Sequence, residues 1–226
     1  MIAGIKTECY KLLRNKYVLF SAVVAFFGGA IINLAAGEKE HLFYQVQIFP
    51  YLFQILSCLI VGSVWALDYT YGTIKNTVYL FKRSLIFAYK TVTVIGVGTL
   101  IFLLYAYGLL LTDYEVFSQN MLGNLCVPYL LFLAQIFTMV LFTVAMKSFS
   151  KISIVMLVSI FVYRLFATLP ESSAVFPLAK QTYFWIYYAA SENYTIEVLY
   201  GALLFLAFWL FFGVVGSMLY FQKNDI

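Results

Sequence analysis

The side chains that could do chemistry are few in this chain: ten acids, fourteen lysines and arginines, three cysteines and one histidine among 226 residues. A lone histidine, His41, removes haem ligation by paired histidines, His-rich zinc sites and most Ser-His catalysis. Cys9, Cys58 and Cys126 have neither disulfide nor metal spacing and read as packing residues. The acid pairs Glu38/Glu40 and Asp113/Glu115 fall in short polar segments and read as solvated rims rather than catalytic dyads. No Gly-x-x-x-x-Gly-Lys-[Ser/Thr] loop, Gly-x-Ser-x-Gly elbow or His-Glu-x-x-His motif occurs. The expectation is a chain that is not an enzyme by itself, has no metal site and must borrow ATP-driven work from another subunit.

The elements that carry these side chains are apolar. Hydrophobic residues make up 64% and charged residues 11%, against about half and a quarter in soluble domains. Six runs, Tyr17–Ala35, Phe49–Leu67, Ile86–Leu111, Met121–Met146, Ile152–Leu169 and Val198–Phe221, are each near the roughly 20 residues needed to cross about 30 Å of hydrocarbon. A crossing segment must satisfy its own backbone, and the alternation of barrel strands is missing, so the runs should be helices. The fold class is therefore all-α integral membrane, one transmembrane domain over residues 1–226 with six spans.

Charge fixes the expected orientation. With both termini cytoplasmic, Lys6, Lys11, Arg14, Lys16, Lys75, Lys82, Arg83, Lys90, Lys147, Lys151 and Lys223 lie inside, 11 of the 14 basic residues. Outside are Lys39, Arg164 and Lys180 with seven acids. This obeys the positive-inside rule. A net charge of +4 calls for anionic lipid rather than nucleic acid. The basic stretch Lys6–Lys16 before an apolar run ending Ala35-Ala36-Gly37 loosely resembles a signal peptide, but the run is long for one. Within residues 1–16, Ile2, Ile5, Cys9 and Leu12 recur at helical spacing, which predicts an interfacial amphipathic helix.

Between spans two and three, Tyr71, Ile74, Val78, Phe81 and Leu85 recur at i, i+3, i+7, i+10 and i+14, which predicts one apolar stripe on a helix in the inner interface over residues 69–85. Asp68 and Gly72 suit its start, an acid at the positive end of the dipole and a glycine for the sharp exit from the bilayer. Such a stiff segment either transmits a push between two spans or simply anchors the loop to lipid.

These residues carry a resemblance. Asp68, Gly72 and Thr73 in the pattern acid-x-x-x-Gly-Thr, an amphipathic stretch, Arg83, and then Lys90 opening the next span resemble the permease subunits of type-2 ATP-binding-cassette transporters. The family more often has Glu at the position of Asp68. The segment Glu8-Cys-Tyr-Lys11-Leu-Leu-Arg14-Asn-Lys16 is similar to the family's N-terminal elbow helix. The resemblance implies that residues 69–85 are a cytoplasmic coupling segment contacted by a separate ATP-binding subunit. It implies an interface set of Asp68, Gly72, Thr73, Lys75, Phe81 and Arg83, with ATP and Mg bound by that partner. A second permease, identical or sister, would complete a dimer.

Pro170–Glu197, the longest outer loop, is apolar and aromatic around Pro177, and Tyr183, Trp185, Tyr187 and Tyr188 read either as a re-entrant hairpin like the family's or as an interfacial belt. Polar residues within spans are default candidates for a substrate path. Gln54 and Gln135 either bond between helices or line the path, and Arg164 either snorkels toward Glu171 or meets substrate. With Trp185 they form the candidate path and outer gate. Small residues on one face of span one (Ala22, Ala25, Gly29) and of span six (Gly213, Ser217) permit close helix approach, between subunits among other options.

The expected function is the permease half of an ATP-driven exporter in the plasma membrane, of bacterial type. With 23 Phe and 19 Tyr, it suits a hydrophobic or amphipathic cargo, foremost a peptide such as a bacteriocin or toxin in export or self-immunity. Antibiotic or lipid efflux is the alternative cargo. A membrane scaffold without transport is the alternative of another class.

Overall fold

The computed structural model describes residues 2–35, 41–112, 125–167, 186 and 195–223. Nearly all of them are helical, and no strand occurs among the described residues. Helix α1, Ile2–Leu13, is followed by α2, Lys16–Ala35. At the break between them the Asn15 side-chain oxygen accepts a hydrogen bond from the Tyr17 amide at 2.9 Å, capping one otherwise orphaned donor of α2.

Helix α3 runs through His41–Val61, a π-helical turn at Gly62–Ala66 and a last turn at Leu67–Thr70. The short α4, Thr73–Leu80, precedes α5, Arg83–Thr112. Beyond lie α6 (Val127–Met146), α7 (Phe149–Ala167) and α8 (Ile196–Lys223, with a π-helical stretch at Phe211–Gly216).

Four stretches, Tyr51–Thr70, Arg83–Leu111, Val127–Met146 and Ile196–Lys223, are long and apolar enough to cross a membrane. Such helices suit a membrane-embedded protein. Two further apolar helices are shorter where fully described, over Lys16–Ala30 and Phe149–Val162. Of the segment 170–197, only Ile186 and the start of α8 fall within the described residues, so the expected hairpin lies outside them.

In lipid the apolar effect does not drive helix against helix, so close packing must do so. Helix α2 lies along α5, where Gly29 sits against the backbone of Tyr105 and Leu109 while Gly108 sits against that of Phe26 and Ala30. A methyl group at either glycine would overlap a carbonyl oxygen of the facing helix. Helix α8 lies along α6, with Gly213 against the Phe137 carbonyl. Gly29 and Gly213 thus serve contacts within the chain, not the contacts between subunits that their spacing also allowed. Between α3, α5 and α6, the Phe53 ring lies at centroid distances of 5.0 to 5.8 Å from Tyr105, Phe132 and Phe102, edge-on to the first and tilted to the others, filling the middle of the bundle.

Two amphipathic expectations need correcting. The buried face of α1 passes through Ile5, Glu8 and Leu12, and Cys9 points outward. One position of rotation replaces a thiol by a carboxylate, because Glu8 finds cationic partners in the interior. Cys126 is also exposed and only Cys58 is buried, so one of the three thiols is a packing residue.

The single helix expected over 69–85 is interrupted twice: the chain reverses at Tyr71-Gly72, and α4 ends in an extended Phe81 (φ −136°, ψ 150°). Of the proposed stripe, Ile74 is buried and Val78 half-buried, while Tyr71 and Phe81 are exposed. The reason is local, since Gly72 adopts φ +68°, a left-handed conformation that a continuous helix cannot contain.

Candidate functional site

Among the described residues, the end of the bundle formed by α1, the last turn of α3, α4 and the first turns of α5 holds a group of four charges. Lys90, about two turns into α5, is fully buried. Its ammonium donates to Asp68 Oδ2 at 2.5 Å, to the Val64 carbonyl at 2.6 Å and to Glu8 Oε1 at 3.3 Å. Val64 lies in the π-helical turn of α3, where the regular ladder is interrupted and a carbonyl can face a neighbouring helix. The same ammonium stands 5.5 Å from the centroid of the buried Trp65 ring, within cation–π range. Trp65 is in turn surrounded by Tyr69, Phe87 and Phe221.

Lys11 on α1 completes the group. It donates to Glu8 Oε1 at 3.1 Å and approaches Asp68 Oδ2 at 3.4 Å. Burial alone would lower its pKa, but the carboxylates of Asp68 and Glu8 outweigh that and raise it above the ordinary lysine value. Two ammonium groups thus meet two carboxylates, a neutral sum that allows burial in a medium of low dielectric. Asp68 sits in the last turn of α3, the negative end of that helix, and not at the positive start of a new one. Its charge is held instead by Lys90, by Lys11 and by the Thr73 hydroxyl, which donates to Oδ1 at 2.7 Å.

The interface candidates therefore divide. Asp68 and Thr73 belong to the buried cluster, and Gly72 supplies the left-handed turn that brings Thr73 back over Asp68. A Cβ at Gly72 would meet nothing within 4 Å, so backbone conformation and not space selects glycine there. Lys75 and Phe81 are exposed, beside Tyr71, Tyr79 and Leu80. Arg83 donates to the Gln222 carbonyl at 3.0 Å, serving an orphan acceptor in the last turn of α8.

The path candidates divide as well. Gln54 on α3 and Gln135 on α6 line one cavity, near the middle of their helices, together with Ser159 of α7. Arg164 lies on α7 with its side chain outside the described part, and Trp185 lies outside the described residues. Sequence reasoning left Glu8, Lys11 and Lys90 out of the site. Lys90 carried the signal: an ionisable residue set into an apolar run needs a counter-ion, and Asp68 and Glu8 are acids within reach.

Among the described residues no group of three or more His, Cys, Asp or Glu side chains could hold a metal ion. The ion pairs of the cluster fasten three helices and a turn together. No protein-family model matches this chain, and no curated protein matches it.

Proposed function

We propose that this chain is the membrane permease subunit of an ATP-driven exporter of the type-2 ATP-binding-cassette kind, with α4 as the part a cytoplasmic ATPase pushes. The supporting observation is the Glu8–Lys11–Asp68–Lys90 cluster, which ties the turn before α4 to the end of α3, the start of α5 and the interfacial α1. Force applied to α4 would reach two long apolar helices through buried ion pairs, without the slack of a solvated loop. Tyr79 and Leu80 on α4 are 89% and 76% exposed, and with Lys75 they offer an amphipathic contact surface to a partner.

In this reading α2 and α7 cross the bilayer beside the four longer helices, giving six spans with both termini cytoplasmic in a plasma membrane. A second permease completes the translocator. ATP and Mg are bound by the ATPase, whose closure shifts the permease between inward-open and outward-open states and moves a hydrophobic or amphipathic cargo, foremost a peptide, outward.

The test is isolation of the full chain from membranes without tags on its companions. A stoichiometric ATPase that is lost in Tyr79→Ala or Lys75→Glu, with membrane insertion intact, is the expected result. A homogeneous preparation of this polypeptide alone would leave a scaffold as the better reading, and labelling of Lys75 from the outer face would sink the orientation.

A further inference from the structure

We infer that the cavity bounded by Gln54, Gln135, Thr138, Met139, Val155 and Ser159 is a mid-membrane binding site for a single water molecule, which bridges α3 and α6 beside α7. Gln135 is 3% exposed and Gln54 2%. Neither amide atom of Gln135 has a hydrogen-bond partner among the described residues, nor does Gln54 Oε1. The Gln54 amide nitrogen donates to Ser159 Oγ.

The hydroxyls in the lining are already committed. Ser159 donates to the Met156 carbonyl at 2.8 Å and Thr138 to the Ala134 carbonyl at 2.9 Å, each within its own helix. The atoms left without a partner are two carbonyl oxygens and one amide nitrogen. A water oxygen with two protons to give and a lone pair to receive has the complementary set, and turning the Gln135 amide over leaves that set unchanged.

Volume agrees with the donor count. The cavity measures about 20 Å³, which leaves room for at least one water, whose own sphere takes about 10–15 Å³. No ionisable side chain lines it, so a neutral ligand fits and a bare charge would lack a counter-ion. Amide groups left without a partner at mid-bilayer depth are unfavourable, because hydrocarbon offers them no hydrogen bond. The rim at Thr138, Val155 and Ser159 is half-buried, which gives the water a way in between α6 and α7. This site stands independently of the transport reading.

Met139 is a built-in reporter, since it lines the cavity and is itself 2% exposed. Brief X-ray radiolysis of the solubilised full chain generates hydroxyl radicals from bound water, and mass spectrometry reads oxidation at the adjacent methionine. Met139 is expected to oxidise despite its burial, and several-fold more slowly in Gln135→Leu, which removes two of the ligands, and in Val155→Leu, which fills the space. If Gln135→Leu fails to fold, Val155→Leu decides alone. Met139 that stays unoxidised in the unaltered protein, or that oxidises equally in the folded variants, overturns the site.

Discussion

The charged end of the bundle and its polar middle treat buried polar groups in opposite ways. At the end, Lys90, Asp68, Glu8 and Lys11 neutralise one another, and each acidic side chain accepts from two or more donors. In the middle, Gln54 and Gln135 carry no charge and keep three amide atoms without a partner among the described residues. Removing one member of a paired set strands a charge, whereas removing a neutral amide that a small guest can satisfy strands little. The first region is built to stay as it is, and the second can exchange what it holds.

Substitutions can break this contrast. The largest effect is expected for Lys90→Met, which leaves the half-exposed Lys11 as the cation of the cluster facing both Asp68 and Glu8. A loss of about 3–5 kcal/mol is expected, read as a lowered midpoint in denaturant unfolding of the solubilised protein. Adding Asp68→Asn to that variant should recover part of the loss, because the stranded charge is then gone. A double variant no better than the single would mean that the ion pair is not the source of the effect.

Next comes Gly72. Proline cannot adopt φ +68°, so Gly72→Pro should displace Thr73 from Asp68, and under the exporter reading it should abolish stimulation of the partner ATPase while insertion persists. The milder Gly72→Ala should cost about 1–2 kcal/mol, the left-handed penalty of an L-residue, because its methyl group meets open space.

The smaller effects sharpen the contrast. Gln135→Leu should change stability by no more than about 1 kcal/mol, in keeping with typical hydrogen bonds between membrane helices. A loss as large as that of Lys90→Met would erase the distinction between the two regions. Lys11→Ala should cost less than about 1 kcal/mol, since the Lys11 side chain is 45% exposed and solvent screens its pairs.

Much of the architecture was legible in the sequence because apolar run length is a strong signal. The sixth run, expected at Val198–Phe221, is helical over Ile196–Lys223, and the third, expected at Ile86–Leu111, over Arg83–Thr112. The site was legible only in part. Asp68 and Gly72 stand out as a helix boundary and Thr73 through the resemblance, and the three do come together, while Glu8 does not stand out, because Cys9 fits the apolar helical period and an acid does not. The acid faces inward because Lys90 waits there, and the partner is 82 residues away in sequence. The π-helical turn that presents Val64 to Lys90 has no signature in the apolar pattern. The pattern at Gly72 suits a helix entry, but the turn there is both the end of one element and the cap of another, a distinction that depends on the sign of φ.

Trp65 has an optical consequence. Its indole is fully buried and lies 5.5 Å from the Lys90 ammonium, so its emission should respond to the local field of that charge. With Trp185 and Trp209 replaced by phenylalanine, fluorescence from this single ring would follow, in real time and without an attached dye, whether the buried ammonium stays or departs while the protein works.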